Sequence, residues 1–287
     1  MKHFSFFSVL ACSVLLLAGC SASRKAAVSP RTSFPSLGQG GRIAIVAHRG
    51  FWKCEDGGYS ENSIASLRAA QNSGVWGSEC DVHITADDVI IVNHDESIGG
   101  MQIATHKFAE LSACRLPNGE RRPSLDEYLD QAMKCRTTKL IVELKPQSAE
   151  AREDLMVEKT VAAIKAHGLY DPERVLFISF SRHICDKIAA EHPAFVNQFL
   201  SANFLRDESP EIYAGRGING IDYHFRLFNL RPAYVERAHA LGMSVNAWTV
   251  DEPKDIRSMI EAGVDAITTN KPLQVRELLG DREFRIK

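Results

Sequence analysis

The chain has 287 residues, 45% of them hydrophobic, with 34 Lys and Arg set against 36 Asp and Glu for a net charge of −2. That balance offers no basic field for a phosphate backbone, so nucleic acid is not expected as a partner. The seven Cys show no CxxC or Cys/His metal spacing and do not describe a zinc module.

In chain order, Met1-Lys2-His3 precedes an apolar run over residues 4–18 that closes with Leu17-Ala18-Gly19-Cys20. The run is short for a membrane span and has the anatomy of a secretory signal. The small residues before Cys20 resemble a bacterial lipobox, after which Cys20 is the lipidated new N-terminus. Residues 21–41 hold five Ser, two Pro and three Gly and too few apolar side chains to order themselves. The expectation is a signal over 1–19, a lipidated tether over 20–41, and a folded domain over 42–287, exported and held at the bacterial cell envelope. Nothing in the sequence points to a protein partner. Of the remaining Cys54, Cys80, Cys114, Cys135 and Cys185, an odd number in an exported domain is no disulfide framework, although one bridge, Cys54 included, stays open.

From residue 43 onward, strand patterns recur at 43–48, 77–81, 140–145, 175–180, 195–200, 218–222, 244–250 and 266–269. Helical patterns lie between them at 63–72, 125–133, 149–166, 182–191, weakly after 202, then at 232–240, 253–261 and 272–279. Ser124-Leu125-Asp126-Glu127 reads as a capping box, and Gly74, Gly168, Gly242 and Gly263 stop helical runs. Eight strands alternating with eight helices predict one (β/α)₈ TIM barrel. The rival, a doubly wound open sheet, lacks the glycine fingerprint expected after its first strand.

The segment from Gly77 to Asp95 carries the chemistry. On a strand, Glu79 and Asp81 share a face, and two converging carboxylates call for a cation, Mg²⁺ or Ca²⁺ rather than Zn²⁺. Thr85-Ala86-Asp87-Asp88 is turn-prone, so the apolar run Val89 to Val92 reads as the return arm of a hairpin that leaves after the second strand and brings His94 beside Cys80 and Asp81. In such a barrel the site lies at the C-terminal ends of strands. The first strand ends in His48-Arg49-Gly50, which combines a proton-transfer group, a planar cation suited to phosphate, and a Gly that lets backbone approach a ligand. The third ends in Glu143 and Lys145, and the seventh in Trp248, a candidate pocket wall.

These residues carry a resemblance. His48-Arg49-Gly50, Glu61-Asn62-Ser63, Glu79-x-Asp81, Asn93-His94-Asp95, Glu143-x-Lys145 and Trp248-Thr249-Val250 resemble the glycerophosphodiester phosphodiesterase family over residues 43–272. The resemblance implies metal-dependent hydrolysis of a small-molecule glycerophosphodiester to glycerol 3-phosphate and an alcohol. It implies Glu79, Asp81 and Glu143 as metal ligands and His48 and His94 as the acid/base pair, their individual roles open. Arg49 and Lys145 become phosphate contacts, Glu61 a buttress, and Asn62 the cap of the first helix.

The sequence departs from the family pattern at Ser60, where Pro is usual before the Glu-Asn pair, at Ile98-Gly99-Gly100, and at Asn270 in place of Asp. Phe51, Trp52, Tyr59 and Trp248 are candidates for an apolar rim. Two alternatives are a related sphingomyelin-directed phospholipase D and a non-catalytic lipoprotein that binds a phosphorylated ligand.

Overall fold

The computed structural model describes Met1 and residues 43–280. The signal, Cys20 and the tether therefore lie outside the described residues. The barrel strands are β1 (Ala44–Ala47), β2 (Gly77–Ile84), β6 (Lys139–Leu144), β7 (Val175–Ser179), β8 (Asn197–Ser201), β9 (Gly220–His224), β10 (Ser244–Trp248) and β11 (Ala266–Thr269). They pair in parallel, each with the next, and the β1–β11 and β1–β2 pairings close the ring. Between β2 and β6 come three short strands, β3 (Ile90–Val92), β4 (Ser97–Ile98) and β5 (Met101–Gln102). The helices are α1 (Ile64–Ser73), α2 (Phe108–Ala113), α3 (Leu125–Ala132), α4 (Glu150–Ala166), α5 (Arg182–Glu191), α6 (Pro210–Ala214), α7 (Phe225–Leu230), α8 (Ala233–Ala240), α9 (Pro253–Ala262) and α10 (Pro272–Leu279).

Strand alternation divides the core. Val46, Ile141, Leu176, Ile178 and Leu200 fill the barrel interior, while Ile45, Cys80, Val82, Val142, Phe177, Ile221 and Val245 on the opposite strand faces pack under the helices. Local signals act as expected at two caps. Ser124 accepts from Glu127 N while Glu127 Oε2 accepts from Ser124 N, and Gly74 ends α1 at φ 67°, which a side chain would disfavour.

The sixth barrel strand runs from Gly220 to His224, two residues beyond the expected 218–222, because its pairing with β10 extends to Trp248↔His224. Helices α2 and α7 and the β4–β5 hairpin were not expected; each is six residues or fewer and gives no sustained period. The five described cysteines are free thiols, so the bridge left open at Cys54 does not form; its Sγ instead donates to Phe51 O and accepts from Gly57 N.

Strand β2 determines where the site lies. It pairs with β6 over six positions from Gly77↔Lys139 to Val82↔Leu144, but with β1 only at Val46↔Gly77 and Ala47↔Ser78. The edge left free beyond that point is taken by β3, antiparallel, at Val82↔Val92, His83↔Ile91 and Ile84↔Ile90. The turn between them is held by Thr85, whose hydroxyl donates to Asp87 Oδ1 at 2.6 Å and accepts from Val89 N at 3.1 Å.

Candidate active site

Glu79 and Asp81 on β2 and Glu143 on β6 project into the barrel mouth, where one carboxylate oxygen from each lies within 4.8 Å of the others. All three are buried, at 2%, 1% and 7% exposure. Two cations answer them. Lys145 Nζ lies 2.8 Å from Asp81 Oδ1 and 2.6 Å from Glu143 Oε1, and Arg49 Nε lies 3.6 Å from Asp81 Oδ2. Glu79 Oε2 accepts from Arg49 N at 2.7 Å, but its buried Oε1 has no hydrogen-bond partner among the described residues.

The protonation pattern follows from burial and charge. Burial, then the Asp81 and Glu143 charges, push the Glu79 carboxyl well above its usual range. Burial, with Asp81 beside it, pushes Glu143 up to about 8. Burial would raise Asp81 too, but the Lys145 ammonium and Arg49 guanidinium outweigh it and hold that carboxylate below its usual range. Burial lowers Lys145, but the Glu143 and Asp81 carboxylates outweigh this and raise the ammonium above its usual value. Three buried carboxyl oxygens, with Glu79 Oε1 unpaired and with Glu79 and Glu143 both pushed toward protonation, fit a hard divalent cation.

The loop after β1 is bent to serve this cluster. Arg49 has φ 55°, a strained value for a residue with a side chain. The bend gives its backbone N–H to Glu79 and its guanidinium to Glu61, with NH1 to Oε2 at 2.8 Å. Gly50, at φ 77°, answers a different need from the ligand approach expected of it: a Cβ there would overlap Ser66 Oγ, so the glycine lets the loop pack on α1. Asn62 is likewise no helix cap. Ser63 caps α1, and Asn62, at φ 56°, clasps Asp81 by donating to Oδ2 at 2.8 Å and accepting from Asp81 N at 3.2 Å.

His48 stands at the end of β1. Its Nδ1 is 3.0 Å from Asn270 Oδ1, which also accepts from Trp52 Nε1 at 2.9 Å. Asn270 gives Nδ2 and N to the two oxygens of Asp251, each at 2.8 Å. That fixes the amide's orientation, so His48 Nδ1 carries the proton and Nε2 the free lone pair. Burial, then the Arg49 guanidinium, lower His48 to about 4, so the ring is neutral at pH 7. His94 arrives on the far side of β3, where Asn93 N donates to Asp81 O at 3.0 Å. It is part-exposed, with Nδ1 2.8 Å from Asp95 Oδ1, and its backbone carbonyl lies 3.2 Å from His83 Nε2.

A cavity of about 100 Å³, open to solvent, gathers His48, Arg49, Glu79, His94, Glu143 and Lys145 around one space. Its other wall is Ile178, Phe180, Leu200, Asp222, Trp248 and Thr268. Of the expected rim aromatics only Trp248 lines it. Phe51 packs on the core, Trp52 is spent on Asn270, and Tyr59 points to solvent at 63% exposure. Phe180, in edge contact with Trp248 at 5.5 Å, takes the place expected of them. Sequence reasoning missed Phe180, Asp222, Asp251 and His83. Strand alternation could have found His83, since it follows Glu79 and Asp81 at the same two-residue step, and Asp222, which lies inside the expected sixth strand.

Compared with known proteins, residues 48–274 match the glycerophosphoryl diester phosphodiesterase family. The chain belongs to that family. A crystal structure of a glycerophosphodiester phosphodiesterase from Parabacteroides distasonis superposes with TM-score 0.79 at 37% identity, covering 84% of this chain and 98% of that one. A glycerophosphodiester phosphodiesterase of Caldanaerobacter subterraneus is 29% identical over 248 residues, 80% of this chain and 95% of its own. A phosphodiesterase from Oleispira antarctica, solved in complex with the product sn-glycerol-3-phosphate, shares the fold with TM-score 0.70 at 23% identity, covering 82% and 96% of the two chains. Family membership agrees with the motifs, all of which fall between residues 48 and 274.

Proposed function

We propose that the protein hydrolyses glycerophosphodiesters to glycerol 3-phosphate and an alcohol, with His48 as general base, His94 as general acid, and Glu79, Asp81 and Glu143 as ligands of one divalent cation, Mg²⁺ or Ca²⁺. The observation that carries this reading is the cluster of those three carboxyls at one point and the convergence of two of them, Glu79 and Glu143, with both imidazoles, Arg49 and Lys145 on one open pocket. When bound, the cation supplies Lewis-acid charge at a phosphoryl oxygen.

The chain's own groups do the rest. Arg49, braced by Glu61, and Lys145 present fixed positive charge where negative charge develops on phosphorus oxygens. His48, neutral and with Nε2 unprotonated, accepts the proton of the attacking oxygen, while Asn270 and Asp251 hold its tautomer as the ring becomes charged. His94, oriented through Nδ1 by the Asp95 carboxylate, gives its Nε2 proton to the departing alkoxide. Trp248 and Phe180 shield one side of the pocket from water.

The same reading includes anchorage. The lipobox at Leu17-Ala18-Gly19-Cys20 supports a lipoprotein tethered through Cys20 at the bacterial cell envelope.

The deciding experiment is turnover of glycerophosphoethanolamine and glycerophosphocholine, with glycerol 3-phosphate measured as product, with and without EDTA. Release of glycerol 3-phosphate that stops in EDTA and returns with Mg²⁺ or Ca²⁺ is expected. Release of a phosphorylated headgroup, or turnover indifferent to chelator, refutes the reading.

A further inference from the structure

In the barrel ring, β9 stands opposite β2, with three strands between them in either direction. The pocket wall on that side is mostly apolar, formed by Ile178, Phe180, Leu200 and Trp248 from the neighbouring strands, and interrupted by one carboxyl from β9, Asp222. Asp222 is 1% exposed yet lines the pocket, and its Oδ1 has no hydrogen-bond partner among the described residues. Its cross-strand neighbours are Leu200 on β8 and Asn246 on β10. The Asn246 amide gives one Nδ2 hydrogen to Thr268 Oγ1 at 2.8 Å and also hydrogen-bonds the Asp222 carboxyl, which leaves Asp222 Oδ1 unanswered. Trp248 Nε1 donates at 2.9 Å to the backbone carbonyl of Asp222, which ties the indole to the same strand position.

A buried carboxyl with one oxygen unpartnered costs stability, and an apolar residue would pack against Leu200 and Trp248 without that cost. Asn246 answers only part of the carboxyl, and the pocket lies against it. We propose that Asp222 is a specificity-determining residue that hydrogen-bonds a hydroxyl of the substrate's glycerol moiety while the phosphate is held at the opposite, carboxylate-lined wall. The inference rests on the glycerophosphodiester reading above. Burial pushes the Asp222 carboxyl up to about 8, so at neutral pH it is an uncharged group that both donates and accepts, which suits a hydroxyl better than an ammonium. The aromatic faces of Trp248 and Phe180 would then cover the carbon skeleton beside it.

The test compares two ligands differing only in hydroxyls, glycerol 3-phosphate and propyl phosphate, by calorimetric titration in Mg²⁺. Wild type should bind glycerol 3-phosphate at least about 10-fold more tightly. Asp222→Leu should bring the ratio near one without weakening inorganic phosphate, and Asp222→Asn, which keeps a donor and an acceptor, should hold most of it. In kinetics, Asp222→Leu should lose kcat/KM on glycerophosphoethanolamine and keep it on bis(p-nitrophenyl) phosphate, which has no hydroxyl. A wild-type ratio near one, a ratio unchanged in Asp222→Leu, or equal losses on both kinetic substrates overturns the proposal. If Asp222→Leu gives no cooperative melting transition, Asp222→Ala reads the same ratio. A wild type that turns over no glycerophosphodiester refutes the parent reading, and the binding ratio still tests the role of Asp222 independently.

Discussion

Asn270 Oδ1 sits 3.0 Å from His48 Nδ1, and the same residue's backbone and side-chain N–H groups are both committed to Asp251. An amide stands where the family commonly has a carboxylate, and the charge is displaced one residue outward. Burial would raise Asp251, but its hydrogen bonds from Asn270 outweigh this and hold it ionised. Asn270→Leu should lower kcat on glycerophosphoethanolamine by about 10- to 100-fold with a smaller change in KM, since the hold on His48 is lost together with the bonds to Trp52 and the Asp251 side chain, none of which is a proposed substrate contact. Stopped-flow or steady-state kinetics on a variant with an unchanged melting profile checks this.

The acid and base roles separate by leaving group. His48→Ala and His94→Ala should each lower kcat by about 10²–10⁴ on glycerophosphodiesters, and the double variant should cost much less than the product of the two. p-Nitrophenolate leaves without a proton, so bis(p-nitrophenyl) phosphate should rescue His94→Ala and not His48→Ala. Rescue of His48→Ala instead would exchange the two roles.

Metal ligation predicts that Glu79→Gln, Asp81→Asn and Glu143→Gln each raise the Mg²⁺ concentration needed for half-maximal activity by about 10-fold or more. Retained activity in EDTA in all three would rule the cation out.

The carboxyl cluster also sets a pH dependence of stability. Glu143 has a usual value of 4.5 and is raised to about 8 in the fold, so between these limits the folded chain binds more protons than the unfolded one. Stability from this group is complete below pH 4.5 and is lost as pH rises toward about 8. Without divalent ions, Tm should therefore fall less across this window in Glu143→Gln than in wild type. Added Mg²⁺ should raise wild-type Tm most at the alkaline end, where no proton competes for the ligands.

Anchorage has its own test. Cys20→Ser should move the protein from the membrane fraction to the soluble fraction, with the specific activity of the barrel unchanged. Among the described residues no helix is long and apolar enough to cross a membrane.

Periodicity and punctuation were enough to predict the barrel from this sequence, because a strand's two-residue step and a helix's capping residues are local properties. The same two-residue step placed Glu79 with Asp81, and Glu143 with Lys145, on inward faces before any contact was known. Three features waited for the tertiary structure. Whether Asn62 caps α1 or clasps Asp81 depends on the bend at Arg49, which exists only when β1 and β2 lie side by side. Asn270, seen in sequence as a departure, acquires a role only because β11 closes the ring beside β1 and so brings residue 270 to residue 48. Strand alternation can put Asp222 on an inward face, but only barrel closure sets it opposite the carboxylates and removes its solvent. The sequence by itself determined the barrel's alternating strands and longer helices and which charged residues share a strand face, since these depend on neighbours two to four residues apart. Partnership across the ring depends on closure, where residues more than a hundred positions apart share one pocket, and only the folded chain decides it.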